Sequence, residues 1–284
     1  MVMWVMVITV LVLVLLVIIA IITTGNSIFK CRIYYEARKV LVKKGDLERI
    51  IVTEEDLEGL PEPVSGYLRC MQIVGKEKIR TCRLKQRGQI RTQPNQSWMP
   101  FTAEEYFSVE PPGFLWHAKA RFALLPLLHA RDMYTKGKGN MLITFLSMIP
   151  VVNAYGKELD QGALLRFLGE MIWFPSAFLS DYIEWEAISS SQARATITSG
   201  EKSASALFRF DKEDEIVELT AERYRSTNGN YSLDTWSTLL KDYKEINGIR
   251  IPTLVEAMWK LESGEFRYFK CRLTRIDYNK HYLF

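Results

Sequence analysis

The sequence predicts an α+β protein that is mainly antiparallel β: a large curved sheet, or half-barrel, around an internal helix, preceded by a transmembrane helix and short helices. Three observations predict this fold. The first 24 residues are apolar and uncharged, apolar and polar residues alternate from about residue 79 onward, and a helical apolar stripe interrupts that alternation near residue 165.

The N-terminal segment 1–24 is an apolar run without Pro, Gly or charge. A helix needs about 20 apolar residues to cross a hydrocarbon core of roughly 30 Å. A cleaved signal peptide would have a basic start, a shorter apolar stretch and a small-residue cleavage site, and this segment has none of these. The sequence therefore predicts an uncleaved transmembrane anchor over residues 1–24.

Residues 25–44 are predicted to form a basic juxtamembrane helix or stalk. Their six basic residues face a single acid, Glu36. The basic residues are Lys30, Arg32, Arg38, Lys39, Lys43 and Lys44. Because basic residues beside a span favour the cytoplasmic side, we expect a single-pass protein with its C-terminal domain in the cytoplasm, with the outside as the alternative. The strip is also suited to contact with anionic membrane lipid, and a solvated stalk is the alternative.

Residues 45–284 are predicted to form a single globular domain that begins with a helical segment over 45–75. Gly45 is the expected stop of the preceding helix, and Thr53 is the expected N-cap of a short one. Pro63 suits the first turn of a further helix. The apolar stripe of that helix is Val64, Tyr67, Leu68 and Met71.

The segment 79–279 shows period-two alternation and predicts an antiparallel meander of nine or ten strands. Turn signals such as Asn228-Gly229 and Asn247-Gly248 separate the runs. Inward-facing runs are Ala193, Ala195 and Ile197; Ala204, Ala206, Phe208 and Phe210; Val217, Leu219 and Ala221; and Val255, Ala257, Trp259 and Leu261. A helix over 160–174 interrupts them, with Asp160 as its expected N-cap and Pro175 at its end.

Composition and motifs exclude several functions. Outside the juxtamembrane strip the charges nearly cancel, which argues against a nucleic-acid partner. The common nucleotide-binding, protease and hydrolase motifs are absent, so no cofactor is predicted. The histidines are scattered, and no metal site is predicted. Four cysteines, Cys31, Cys70, Cys82 and Cys271, are expected to be reduced, although the sequence leaves disulfides open.

Six residues are candidates for ligand binding. Arg166 and Glu170 share a helix face at i, i+4, and inside a curved sheet they would line a cavity or be buried. Arg131 and Asp132 are adjacent strand residues, so only one of them can face inward. Among the many aromatic residues, Trp116 and Trp173 are candidates for contact with an apolar ligand, with packing in the core as the alternative.

Several segments together resemble an uncharacterised prokaryotic family of membrane-associated proteins, a domain of unknown function. They are Leu60-Pro61-Glu62-Pro63-Val64, Arg131-Asp132-Met133-Tyr134 and Arg166-Phe167-Leu168-Gly169-Glu170-Met171-Ile172-Trp173-Phe174-Pro175. The resemblance covers nearly all of residues 55–279 and implies one structural unit without an activity. The predicted fold also looks like lipoprotein-carrier folds, an analogy at the level of the fold.

We therefore expect a membrane-anchored module that binds a lipid or other hydrophobic molecule within the curved sheet. Two alternatives remain open. One is an enzyme that uses Arg166 and Glu170 on a membrane-derived substrate, and it requires a perturbed carboxylate in a cleft. The other is a structural or assembly protein that binds another membrane protein, of unknown identity, through a sheet edge or the helices of 45–75.

Overall fold

A computed structural model describes residues 2–41, 49–122, 125–227 and 229–284, and the side chains of 122–126 lie outside this description. The helices are α1 (Val2–Val40), α2 (Glu62–Cys70) and α3 (Lys157–Glu170), with 3-10 turns at Glu55–Leu57, Met171–Trp173 and Pro175–Leu179. The strands are β1 (Thr81–Ile90), β2 (Met99–Ser108), β3 (Gly113–Phe122), β4 (Leu125–Thr135), β5 (Lys138–Phe145), β6 (Ile149–Ala154), β7 (Ile183–Ser189), β8 (Gln192–Ser199), β9 (Lys202–Phe210), β10 (Ile216–Thr227), β11 (Asn230–Ile246), β12 (Ile249–Leu261) and β13 (Gly264–Tyr278).

All thirteen strands of the described part form one antiparallel sheet in the order β6-β5-β4-β3-β2-β1-β13-β12-β11-β10-β9-β8-β7. The sheet consists of two meanders, β1–β6 and β7–β13, joined where β1 pairs with β13. Its two edges, β6 and β7, are consecutive strands in the chain, and α3 lies between them in sequence. The predicted fold class is confirmed: a mainly antiparallel half-barrel with few helices and an apolar N-terminal helix.

Turn chemistry sets the register of the hairpins. Asn247 and Gly248 have φ of 54° and 77° between β11 and β12, and Ile246 pairs with Ile249. Two central residues with positive φ make the tight turn that matches the twist of the flanking strands, and Asn-Gly adopts it readily. Asn228, half of the other predicted Asn-Gly turn, lies outside the described residues.

Helix α3 contacts β4 and β5 on one side and β8, β9 and β10 on the other, so it crosses the concave face of the sheet. Phe167 and Leu168 are fully buried in the main core. The helix begins three residues earlier than expected, after Gly156 at its N-cap position. Asp160 therefore lies one turn inside the helix, and its carboxylate instead accepts hydrogen bonds from the Gly139 N–H and from Lys202.

Helix α1 continues without a break from the apolar run into the juxtamembrane segment, and its second half packs on the convex face of the sheet. Residues one turn apart form the buried stripe. They are Phe29, Ile33, Ala37, Val40 and Leu41, which pack against Tyr106, Leu115 and Leu142. Lys43, Lys44 and Gly45 lie outside the described residues.

Over its described residues, 49–75, the predicted helical segment before the sheet contains one short helix and one 3-10 turn. The Asp56 carboxylate accepts a hydrogen bond from the Thr53 N–H at 2.6 Å, at the start of the 3-10 turn. Pro63 lies in the first turn of α2, as its fixed φ favours. The predicted stripe of this helix is buried against the sheet: Val64, Tyr67, Leu68 and Met71.

Candidate functional site

A buried cluster of one guanidinium and three carboxylates lies between α3 and the concave face of the sheet. Arg166 donates to Asp132 at 2.6 Å, to Glu105 at 2.8 Å and to Glu170 at 2.9 Å. The Glu105 side chain is 0% exposed and that of Asp132 is 6%, whereas Arg166 and Glu170 are each 15% exposed. The cluster is therefore inside the fold, with Arg166 and Glu170 at its accessible edge.

The register of three strands explains why these groups meet. Glu105 on β2 pairs with Trp116 on β3, which pairs with Asp132 on β4, so all three side chains share the concave face. Helix α3 then presents Arg166 to this row. The Arg166 guanidinium lies 4.8 Å from the ring centroid of Phe114 and 5.1 Å from that of Trp116, close enough for cation–π attraction.

A hydrogen-bonded chain holds Glu105 in place. The Trp116 indole donates to Gln86 Oε1 at 3.2 Å, and Gln86 Nε2 donates to Glu105 Oε2 at 3.3 Å. Glu105 thus receives one hydrogen bond from the sheet and one from Arg166. This fixes its orientation without any contact with bulk water.

Burial governs the charges of the cluster. Burial raises the pKa of Glu105 well above its usual range, and the neighbouring Glu170 carboxylate raises it further. Burial also raises the pKa of Glu170, against the opposing effect of Arg166. Burial alone would lower the pKa of Arg166, but the carboxylates around it raise that pKa well above its usual value. The guanidinium is therefore permanently charged, and the glutamates are shifted toward their protonated forms.

Two carboxylate oxygens in the cluster are buried without a hydrogen-bond partner among the described residues. They are Asp132 Oδ1 and Glu170 Oε2. A buried acceptor without a donor is costly and marks a place where a ligand donor or a water can bind. Chemically, the cluster can store a proton and can accept hydrogen bonds from the polar end of a bound molecule.

Arg131 faces away from this cluster. Its Nε lies 3.1 Å from Glu36 Oε2 of α1, and its Nη1 donates to the Asn140 carbonyl at 3.0 Å. Adjacent strand residues point to opposite faces, so Asp132 faces α3 while Arg131 faces α1. Arg131 thus links α1 to the sheet.

The two candidate tryptophans occupy different places. Trp116 borders the Arg166 cluster, as described above. Trp173 lies in the main core, 2% exposed, and its indole donates to the Pro252 carbonyl at 3.1 Å. The structure therefore brings four of the six candidate residues together, namely Arg166, Glu170, Asp132 and Trp116, and places Arg131 and Trp173 elsewhere.

A band of aromatic side chains extends the site along the concave face. Phe101 stacks on Phe269 with 5.3 Å between ring centroids and meets Trp116 edge to face at 5.7 Å. Tyr268 follows, stacked on Trp259 at 6.0 Å. Phe269 and Tyr268 are only partly buried, so part of this band reaches the surface.

Two histidines that are scattered in the sequence meet on the convex face. His117 Nε2 and His129 Nδ1 lie 3.4 Å apart, beneath Phe29 of α1. Burial, with a smaller effect of His129, lowers the pKa of His117 to about 3, and burial together with Lys119 lowers that of His129 to about 4. Both rings are therefore neutral. Within the described ranges, no three His, Cys, Asp or Glu residues are grouped as a metal site would require.

Comparison with known proteins shows the family. A family model described as a family of unknown function (DUF6544) matches residues 50–271. The chain belongs to this family. No curated protein matches the chain.

Two solved structures are similar to this DUF6544 protein. A DUF1329 family protein from Desulfovibrio piger has 9% identity and a TM-score of 0.43, with 78% of this chain and 94% of that chain covered. A LolA superfamily protein from Nitrosomonas europaea has 9% identity and a TM-score of 0.44, with 76% and 94% covered.

Two site residues of this DUF6544 protein, Glu105 and Gln86, are not among the residues predicted from the sequence. A signal for Glu105 was present in β2, where Phe101, Ala103 and Phe107 share the inward face and Glu105 interrupts them. A single charge in an otherwise apolar inward series is evidence of a buried partner. Gln86 has no comparable signal, because neutral amides are common on both faces of a strand.

Proposed function

We propose that this protein is a membrane-anchored module that binds a lipid or other apolar molecule on the concave face of its sheet. One observation carries the proposal: inward-facing apolar residues beside the Arg166 cluster are only partly buried. They are Ile90, Leu128, Ala130, Tyr268 and Phe269. Apolar surface that the fold leaves open, next to a few convergent polar groups, is the usual form of a small-molecule site.

The polar end of the ligand would meet the Arg166 cluster. Asp132 Oδ1 is an acceptor without a partner among the described residues, so a hydroxyl or amine of the ligand would satisfy it, and a protonated Glu170 would donate to a ligand oxygen. The apolar remainder would lie along Trp116 and Phe269. This arrangement suits an amphiphile.

The anchor supports a ligand that comes from the membrane. The apolar part of α1 is exposed along its length, with a mean hydropathy of 3.7 over its best window. Twenty-three helical residues, 2–24, extend about 35 Å, enough to cross a hydrocarbon core of roughly 30 Å. The turn between β5 and β6 contacts α1 through Ser147 and Asn26. The Leu146 N–H in this turn donates to the Leu127 carbonyl at the start of β4. The inward-facing Leu128 therefore lies at the end of β4 that is nearer to α1.

The binding proposal is tested by native mass spectrometry of the full chain after extraction and exposure to lipid. We expect the wild-type protein to retain an apolar molecule. Ala130→Trp should reduce retention, since it fills the concave face, whereas Lys119→Trp, at an exposed position on the neighbouring strand, should retain as much as wild type. Thermal unfolding of both variants reports whether they fold. A wild-type protein that stays empty after exposure to lipid contradicts the proposal.

The same cluster favours a second function, an enzyme that acts on a membrane-derived substrate. Glu170 meets the first part of the stated requirement, a perturbed carboxylate, because it is paired with Arg166 and burial raises its pKa. In this case Glu170 is the proton donor or acceptor at the edge of the cluster. The test compares the molecules that wild type and Glu170→Gln retain. If Glu170 is catalytic, the two proteins should retain different molecules. Identical molecules rule out turnover through Glu170.

The orientation is also a proposal: the basic residues that follow the apolar run favour a cytoplasmic domain. A reporter cysteine at Gly229, with the native cysteines replaced, should be shielded from an impermeant thiol reagent in intact cells. Ready labelling would place the domain on the outside and leave the anchor unaffected.

A further inference from the structure

The turn between β5 and β6 has an unusual backbone for its sequence. Leu146 and Ser147 have φ of 53° and 63°, and the Met148 N–H donates to the Phe145 carbonyl at 3.2 Å. A hairpin turn with two positive φ values favours Asn-Gly, and a leucine in this conformation is strained. Strain of this kind persists where surrounding contacts hold it, and it is a reason to ask what the side chains contact.

The turn contacts helix α1 at the end of its apolar run. Ser147 Oγ donates to Asn26 Oδ1. The Met148 side chain packs against Gly25 so closely that a Cβ at Gly25 would lie 2.4 Å from Met148 Cγ. An open cleft of about 580 Å³ lies between the turn and the helix. Its lining on α1 includes Val17, Ala20, Ile21 and Thr24.

The residues after the turn are apolar and exposed. Ile149 is 56% exposed and Val151 is 61% exposed, and β6 is an edge strand with both faces open from Ile149 to Asn153. The sequence contains no charge from residue 139 to residue 156, nor in the adjoining segment 122–128. An exposed apolar edge strand is an aggregation hazard unless something covers it.

Basic residues lie behind this apolar tip. Lys30 is one helical turn beyond Asn26, about 6 Å along the helix axis. Lys30 and Lys119 line one cleft on the convex face, and Arg121 follows on the same strand, exposed. In a membrane, the apolar turn and edge strand would lie in the acyl region, and the basic residues behind them would lie at the level of the anionic headgroups.

We propose that the β5–β6 turn is a second membrane contact, with Met148, Ile149 and Val151 inserted into the leaflet in which the apolar run of α1 ends. The insertion is shallow, because an edge strand cannot bury its free backbone groups in hydrocarbon, and Pro150 removes only one N–H. The inference rests on the anchor part of the proposed function. It does not require a ligand in the concave face.

The experiment uses the full chain reconstituted in vesicles of phosphatidylcholine and phosphatidylglycerol, with the native cysteines replaced. An environment-sensitive fluorophore is attached at Met148→Cys or, in a second variant, at Val151→Cys. Lys136→Cys, in the turn at the opposite end of β5, is the matched control, and Leu16→Cys within the apolar run is the reference. Quenching by lipids that carry a spin label at shallow or deep positions reports insertion.

We expect the labels at 148 and 151 to shift to shorter emission wavelengths and to be quenched most by the shallow spin label, while the label at 136 behaves as in water. Labels at 148 and 151 that match the control overturn the inference. Labels that are shielded but not quenched also overturn it, and indicate a protein partner on β6. Failure of the label at 16 to be quenched would instead contradict the anchor itself.

Discussion

Removal of the central cation of the buried cluster tests whether the cluster is as tightly coupled as its geometry indicates. Arg166→Met leaves Glu105, Asp132 and Glu170 in place, with side chains 0%, 6% and 15% exposed. Removal of one partner from a buried ion pair costs about 3–5 kcal/mol, since the other charge stays buried without compensation. The cost should not triple with three carboxylates, because burial already raises the pKa values of Glu105 and Glu170, and these two groups can take up protons.

The pH dependence of this loss has a definite sign. Burial raises the folded-state pKa values of Glu105 and Glu170, and loss of the opposing Arg166 charge would raise both pKa values further above their unfolded values. A group with a raised pKa contributes stability below its unfolded pKa and loses it as the pH rises through the folded pKa. The destabilisation by Arg166→Met should therefore be greatest near about pH 8 and smaller near about pH 5.

Thermal unfolding of the detergent-solubilised full chain, followed by circular dichroism, measures the effect. A loss of about 3–5 kcal/mol corresponds to a fall in Tm of roughly 6–20 °C for a domain of this size. Arg194→Met is the control, because its pair with Glu186 is exposed and worth about 0–1 kcal/mol. Glu105→Gln added to Arg166→Met should recover part of the loss, since an amide is neutral. A loss no greater than that of the control, or one that does not diminish in acid, refutes the reasoning.

Three further changes test other parts of the fold by the same Tm measurement. Glu36→Gln should destabilise the protein, because Arg131 is 1% exposed and loses its carboxylate partner; an unchanged Tm contradicts the link. Burial would raise the pKa of Asp160, but the hydrogen bond from Lys202 lowers it, so the stability that Asp160 contributes is lost as the pH falls. Asp160→Asn should therefore make the Tm depend less on pH in acid. Gly88→Ala should cost about 1–3 kcal/mol, since its Cβ would lie 2.2 Å from a backbone oxygen of β13.

The period-two pattern was sufficient to predict the sheet because each strand buries one face. Ala193, Ala195 and Ile197 are fully buried, as alternation required. Val217, which was predicted to share the buried face with Leu219, is only half buried. A register shift near the start of β10 places Ile216 in the core instead. A bulge adds one residue to a strand, and alternation alone cannot locate it.

Strand order lay beyond the sequence. The pattern indicated consecutive antiparallel strands, nine or ten in number, whereas the described sheet has thirteen and joins β1 to β13. That pairing spans almost the whole domain, and nothing local to either strand specifies it. The site could be predicted only in part for the same reason. Helical spacing identified the pair Arg166 and Glu170, whereas the register of β1 to β4 brings Glu105 next to this pair, and that register cannot be read from the sequence.

The contact between α1 and the sheet bears on the proposed function. The juxtamembrane half of α1 could have been a solvated stalk, which would let the domain swing above the membrane. Instead, Ile33 and Ala37 are buried on the sheet, and Glu36 reaches the buried Arg131. A helix held by a packed stripe and an ion pair moves with the sheet as one unit, so the concave face keeps a fixed height and direction relative to the end of the apolar run. In the proposed function, a ligand held there would be exchanged with the nearby leaflet and would not be carried away from it, which would distinguish a local lipid-binding module from a soluble carrier.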